Sequence, residues 1–292
     1  MKIYKKPFVI AEIGCNHKGE FEIAEEMIKV AAHYCKADAV KFQKRNSKEL
    51  LTEEEYNTAH PNPHHSYGNT YGEHREFLEF SVDQHRRLMA ICNEHNIMYS
   101  TSVWDLTSAK EITALNPEHI KIPSACNLNF EMLTYLTGNY GGEIHLSFGM
   151  TSPKEEKQIL EFFQDEKRIQ DLVIYSCVSG YPVAFEDLSL LDIRRLIEQY
   201  GNQVKAVGFS GHHLGIAADI AALALGASYF ERHFTLDRTW RGTDHAASLE
   251  PGGLAKLTRD LRNVSKALTY KREEILDVEK VQRKKLKREF SN

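Results

Sequence analysis

The chain has only five cysteines in 292 residues, and no two of them stand in a CxxC pair. An odd, unpatterned set argues against a disulfide framework and for reduced thiols in a cytoplasmic protein. Long apolar runs are also missing: nothing approaches the roughly 20 residues that a membrane span needs. The opening MKIYKKPFVIAEIG reaches Glu12 too soon for a signal segment, and it reads as a strand. Positive charge is not in excess, with 37 Lys and Arg against 41 Asp and Glu, and no basic stripe is interleaved with aromatics. Nucleic acid is therefore not an expected partner, and neither is a membrane. No GxGxxG follows the first apolar run, which removes the main support for an open dinucleotide-binding sheet. What remains, at 42% hydrophobic and 27% charged residues, is a globular chain long enough for one large core.

Eight short β-branched or aromatic runs recur along that chain. They are FVIAEI (8–13), DAVKFQ (38–43), IMYSTS (97–102), HIKIPS (119–124), EIHLSF (143–148), LVIYSC (172–177), KAVGFS (205–210) and YFERHF (229–234). Between them, segments such as FEIAEEMIKVAAHY and SPKEEKQILEFFQ repeat apolar residues at three and four, the helix period. Alternating strands and helices make parallel βαβ units, and eight units close a (β/α)8 TIM barrel, here a single α/β domain over 1–270. Residues 44–80, polar and rich in His, Pro, Asn and Tyr, read as a long loop over the catalytic face. The charged stretch 271–292 reads as a solvated helix or frayed tail.

In this fold the C-terminal strand ends form one bowl. They bring together Glu12; Lys41 and Gln43; Thr101 and Ser102; Lys121 and Ser124; His145 and Ser147; Cys177 and Ser179; Ser210 and His212; Glu231 and His233. Fixed cations (Lys41, Lys121) among hydroxyls suit a phosphate- or carboxylate-bearing substrate. Unplaced histidines are more often buried and hydrogen-bonded. His212 and His233, however, end neighbouring strands, and two imidazoles meeting there suit a divalent transition metal such as Mn²⁺ or Zn²⁺. His213 is read as a loop residue. Asp244, in RGTDH, is a third ligand or an acceptor for a substrate hydroxyl.

The segments AEIGCNHKG, VKFQK, TYGEHREFLEFS, KIPSA, SGYP, GFSGHHLG and ALGASYFERHFTLDRTWRGTDHAASLEPGGL resemble the sialic acid synthase family, the phosphoenolpyruvate-dependent N-acylneuraminate synthases. The resemblance covers about residues 7–268. It implies an enzyme that joins phosphoenolpyruvate to an aldose, N-acetylmannosamine or a related sugar, giving a 3-deoxy-2-keto sugar acid and phosphate. It implies a metal on His212 and His233, with Mn²⁺ expected and Mg²⁺ or Co²⁺ as alternatives. Lys41, Lys121, Ser124, Ser147 and Ser210 would surround phosphoenolpyruvate, with Thr101 nearby. Gln43 and Ser179 are expected to contact substrate. Tyr181 and Asp244 would meet sugar hydroxyls or the aldehyde, and Glu12 would act as base or orienter. A homodimer is the expected assembly.

Two departures bear on the acceptor sugar. KIPSAC puts Cys126 where the family has an acidic residue, which removes a hydroxyl acceptor or base. Relatives also carry a small C-terminal antifreeze-like domain with an arginine for the N-acyl group, and this chain stops at Asn292. Both lead to the expectation of an acceptor without an N-acyl group, or of one whose pocket is completed by the 44–80 loop. Cys15 is read as a small buried residue, with thiolate ligation of the metal as the alternative. Competing activities are a Schiff-base pyruvate aldolase using Lys41 or Lys121 and a non-catalytic sugar-binding barrel.

Overall fold

Strand β1 (Phe8–Gly14) sends Val9, Ala11 and Ile13 into one apolar cluster and Ile10 into another. That split is the period-two alternation of a strand with a helix layer on one side and a barrel interior on the other. The same parity runs through β2 (Ala39–Lys44), β3 (Met98–Val103), β4 (His119–Ile122), β5 (Glu143–Ser147), β6 (Leu172–Cys177), β7 (Ala206–Gly211) and β8 (Tyr229–His233). The computed structural model describes residues 6–288, and its strands pair in parallel, in chain order, into a closed eight-stranded barrel. Each strand lies within one or two residues of the run expected from the sequence. The first five residues of the expected 1–270 unit and the last four of the 271–292 tail lie outside the described residues.

Twelve α-helices follow among the described residues. They are α1 (Phe21–Lys29), α2 (Ser47–Leu50), α3 (Glu53–Asn57), α4 (Tyr71–Phe77), α5 (Val82–Glu94), α6 (Leu106–Leu115), α7 (Phe130–Asn139), α8 (Pro153–Asp165), α9 (Leu191–Tyr200), α10 (Ala217–Leu225), α11 (Pro251–Ala267) and α12 (Asp277–Leu286). The larger core fills the space between sheet and helices, with Phe42, Ile120, Leu146, Ile174 and Phe230 on the strand side. A small apolar plug of Ile10, Ala39, Val173, Tyr175 and Ala206 closes the barrel interior.

Residues 44–80 are not one structureless loop. Three short helices form there, and reciprocal capping boxes pin α3 (Thr52 with Glu55) and α4 (Thr70 with Glu73). The tail includes the exposed helix α12. His213 follows β7 yet is fully buried, its Nε2 3.2 Å from Asp219 Oδ2. Arg232, on the outer face of β8, pairs with the same Asp219 and donates to the His213 carbonyl at 2.6 Å. This buried cluster ties the β7–α10 turn to β8, and removing one partner of such a pair costs about 3–5 kcal/mol.

Candidate active site

The inward side chains stack in layers from the plug to the mouth. Above the plug, His119 stacks on His145 at 4.2 Å between centroids, and His145 Nδ1 lies 2.8 Å from the Tyr175 hydroxyl. His145 was expected at a strand end, but it belongs to this inner layer, because β5 runs on to Ser147.

The next layer is charged. Lys41 Nζ lies 2.7 Å from Glu12 Oε2, 3.0 Å from Glu231 Oε2 and 3.1 Å from Ser102 Oγ. Lys121 Nζ donates to both Glu231 oxygens, at 2.8 and 3.0 Å, and Ser210 Oγ donates to Glu231 at 3.0 Å. All four charged groups are nearly excluded from solvent. Burial alone would raise the Glu231 carboxyl, but Lys121 and Lys41 outweigh it and hold the group well below the usual carboxylate range. Burial draws the Lys41 ammonium down to about 7, with Glu231 opposing.

Thr101 is not in this bowl. It is paired in register with outward-facing Phe42, so its neighbour Ser102 faces the interior beside Gln43 and meets Lys41. The expectation for Thr101 is thus corrected by strand parity.

At the mouth a cavity of about 370 Å³ is lined by Glu12, Lys41, Gln43, Lys121, Ser124, Ser147, Ser179, Tyr181, Ser210, His212, His233 and Asp244. Ser147 Oγ is buried without a hydrogen-bond partner among the described residues. Ser124 Oγ and Ser179 Oγ converge where a Cβ on Gly149 would come within 2.6 and 2.3 Å of them, so only glycine leaves that cradle open. Gln43 donates to the Cys15 sulfur, and Arg45 does so at 3.1 Å. Burial pushes the Cys15 thiol up to about 11, against a thiolate.

His212 Nδ1 lies 3.0 Å from the Val178 carbonyl, which can only accept, so the proton sits on Nδ1 and Nε2 keeps its lone pair. The His233 ring is 5.5 Å away between centroids, and its Nδ1 is buried without a hydrogen-bond partner among the described residues. Burial pushes both imidazoles down, His212 to about 3, so each is neutral, the form that binds metal. Tyr181 packs its ring 4.4 Å from His212, and the Asp244 carboxylate raises His233 against that burial. No group of three or more His, Cys, Asp or Glu is already gathered for a metal among the described residues. Two neutral imidazoles with 5.5 Å between ring centres would hold an ion only with water or substrate in its remaining positions.

Several wall residues carry no periodic signal in the sequence. Arg45, His74, Leu78 and Trp104 line the side under the 44–80 cover, and Arg45 Nε pairs with Glu79 at 2.5 Å. Glu231, the hub of the charged layer, had only its place at a strand end to mark it. Cys126 does not line the cavity; it packs into the core on the turn Ser124–Cys126, with Ser124 and Ala125 facing the mouth instead.

A closed parallel barrel whose strand ends converge on buried cations, carboxylates, hydroxyls and neutral imidazoles is the architecture of a barrel enzyme. The chain belongs to the NeuB family, whose model matches residues 27–273. It is 38% identical to the human N-acetylneuraminate-9-phosphate synthase, over 96% of this chain and 76% of that protein. It is 31% identical to the N,N'-diacetyllegionaminic acid synthase of Campylobacter jejuni, over 90% of this chain and 78% of that one. A solved N-acetylneuraminic acid synthetase from Leptospira borgpetersenii, in complex with citrate, superposes with a TM-score of 0.81 at 29% identity. That match covers 98% of this chain and 94% of the other. The protein is an enzyme of this sialic and nonulosonic acid synthase class.

Proposed function

We propose that the enzyme condenses phosphoenolpyruvate with the open-chain aldehyde of an aldose, giving a 3-deoxy-2-keto sugar acid and inorganic phosphate. The observation that carries this reading is the buried layer in which Lys41 and Lys121 share Glu231 beneath the unpartnered Ser147 hydroxyl. It offers fixed donors to phosphate and carboxylate oxygens together with a carboxylate, Glu12, to handle a proton.

The phosphate and carboxylate of phosphoenolpyruvate lie against Lys41, Lys121 and the hydroxyls of Ser124, Ser147, Ser179 and Ser210. As its methylene carbon attacks the aldehyde carbon, the C–C bond forms, the C=O π pair moves onto the aldehyde oxygen, which takes up a proton to become a hydroxyl, and positive charge is left at the carbon that bears phosphate. Water adds there and gives its proton to Glu12. The hemiketal phosphate then breaks its C–O bond, expels phosphate and becomes the ketone. Asp244 and Tyr181 orient the sugar beside this centre, and Gln43 steadies the wall.

Charge favours a metal at His212 and His233. The four buried groups sum to zero, two ammoniums against two carboxylates, while phosphoenolpyruvate brings about −2.5 to −3. A divalent ion held by the two imidazoles, Mn²⁺ first, with Mg²⁺ or Co²⁺ as alternatives, would supply that balance and Lewis acidity toward the aldehyde oxygen. We read the assembly as a homodimer and the setting as cytoplasmic, the latter supported by five unpaired cysteines. The test is phosphate release from phosphoenolpyruvate against a panel of aldoses, N-acylated and not, with and without added Mn²⁺. Phosphate formed only with an aldose and a metal supports the reading; phosphoenolpyruvate left intact by every acceptor overturns it.

A further inference from the structure

The condensation uses the two buried lysines and leaves the aromatic layer beneath them without a task. The lysines are not equivalent. Three oxygens surround the Lys41 ammonium: Glu12 Oε2 at 2.7 Å, Glu231 Oε2 at 3.0 Å and Ser102 Oγ at 3.1 Å. Lys121 donates only to the two oxygens of Glu231 among the described residues, at 2.8 and 3.0 Å. An ammonium has three N–H groups, so one is left for the cavity that Lys121 lines. A single carboxylate on one side leaves a lysine free to swing. On another side it meets a ring: Lys121 Nζ lies 4.3 Å from the ring centre of Tyr175, which is fully buried and belongs to the plug rather than to the cavity wall.

That ring is itself held in place. Its hydroxyl lies 2.8 Å from His145 Nδ1, and His145 Nε2 lies 3.6 Å from Glu143 Oε2. A carboxylate only accepts, so the imidazole proton faces Glu143 and the Tyr175 hydroxyl donates to Nδ1. Burial keeps both groups in these forms, pushing the hydroxyl well above its ordinary range and the imidazole below its own. His119 stacks on His145 at 4.2 Å, and Lys205 pairs with Glu143 at 2.5 Å. Strand β7 makes room for the ring. Gly208 stands in register with Tyr175, and a Cβ there would come within 2.7 Å of the ring atoms Cδ1 and Cε1. A phenol that donates its proton to a base is richer in π electrons, which strengthens the pull of its face on a cation.

We propose that Tyr175 is a positioning residue for Lys121: its ring face, anchored through His145, is the floor that holds the ammonium toward the anion of phosphoenolpyruvate. A ring face attracts the whole ammonium rather than one N–H, so the charge is held while a proton stays available to a substrate oxygen. A second carboxylate in that place would take the proton's direction and cancel the charge. This rests on the condensation proposed above, which sets phosphoenolpyruvate against Lys121.

Calorimetric titration of the full chain with phosphoenolpyruvate alone, and initial rates with an aldose added, test it. Tyr175→Leu removes the face and should weaken phosphoenolpyruvate binding roughly thirtyfold, as expected for a cation–ring contact shielded from water. KM for the aldose should move less than about twofold, a split that general loosening of the barrel would not give. Tyr175→Phe keeps the face and loses only the anchor, so it should restore affinity to within about fivefold of the parent. Gly208→Ala displaces the ring and leaves every charged group in place; it should weaken phosphoenolpyruvate binding about tenfold, and it carries the test if Tyr175→Leu does not fold. Unchanged affinity in Tyr175→Leu, or in Gly208→Ala where the former does not fold, overturns the proposal. So does a loss shared equally by both substrates, or a Tyr175→Phe variant as weak as Tyr175→Leu. Phosphoenolpyruvate that binds without turnover, and binds less well to Tyr175→Leu, would uphold the floor and sink the condensation; a parent that does not bind it would sink both.

Discussion

Replacing Glu231 by Gln keeps the shape of the side chain and removes the charge that both buried lysines share. Lys121 loses a carboxylate at 2.8 and 3.0 Å and Lys41 loses one at 3.0 Å, while Glu12 at 2.7 Å from Lys41 is retained. Breaking a buried pair from one side costs about 3–5 kcal/mol. The amide oxygen can still accept one donor, so a loss near 3 kcal/mol is expected. The pH dependence has a definite sign. Lys41 is already drawn down to about 7, and without Glu231 it falls further. Between the variant's value and about 7, the folded variant has released this proton and the folded parent has not, while both unfolded chains hold it. The deficit should therefore be largest in mild acid, shrink as pH rises toward 7, and level off above. Urea unfolding of parent and variant from pH 5.5 to 8.5 measures it, and turnover should fall by about a hundredfold as Lys121 loses its orientation. A stability change within about 0.5 kcal/mol, inside the range of ordinary surface substitutions, would refute the reasoning, and so would a deficit that grows with pH.

Burial pushes His17 and His85 each to about 3. The unfolded chain takes up protons below about 6.5 that the folded chain refuses, so parent stability should fall as pH drops from 6.5 toward 3. Each histidine contributes up to about 1.4 kcal/mol per pH unit, and His85→Gln should make the slope shallower in a urea series. Metal binding at the mouth should raise the unfolding free energy by about 2.7 kcal/mol at Mn²⁺ a hundredfold above its Kd. His212→Ala and His233→Ala should lose that increment, whereas Cys15→Ser should keep it; an undiminished increment in either histidine variant would remove the assignment.

Much of this arrangement is legible in the sequence where parity governs it. The β-branched runs mark the strands, and Glu12, Lys41, Lys121, His212 and His233 follow from side chains at the top of inward faces. Thr101 shows the limit of reading by strand end alone: face, rather than nearness to the end, decides, and Ser102 holds the inward place. Glu231, placed in the bowl by its strand end, lies two residues before His233 on the same face, but nothing in the sequence marks it as the group both lysines share. Thr52 with Glu55 and Thr70 with Glu73 are capping patterns visible in the chain, and they turn the expected loop into helices α3 and α4. Arg45, His74 and Trp104 could not be found this way. Their meeting depends on how the cover folds back over β2 and β3, a long-range event without a local period.

The condensation makes one demand on atoms that can be followed directly. Water adds at the carbon bearing phosphate and the C–O bond then breaks, so the bridging oxygen of phosphoenolpyruvate must leave with phosphate. Phosphoenolpyruvate labelled with heavy oxygen at that bridge, turned over with the preferred aldose, should place the label in inorganic phosphate, one phosphate for each sugar acid formed. Label retained in the sugar acid would contradict the mechanism assigned to Glu12, Lys41 and Lys121, as would sugar acid formed without release of phosphate.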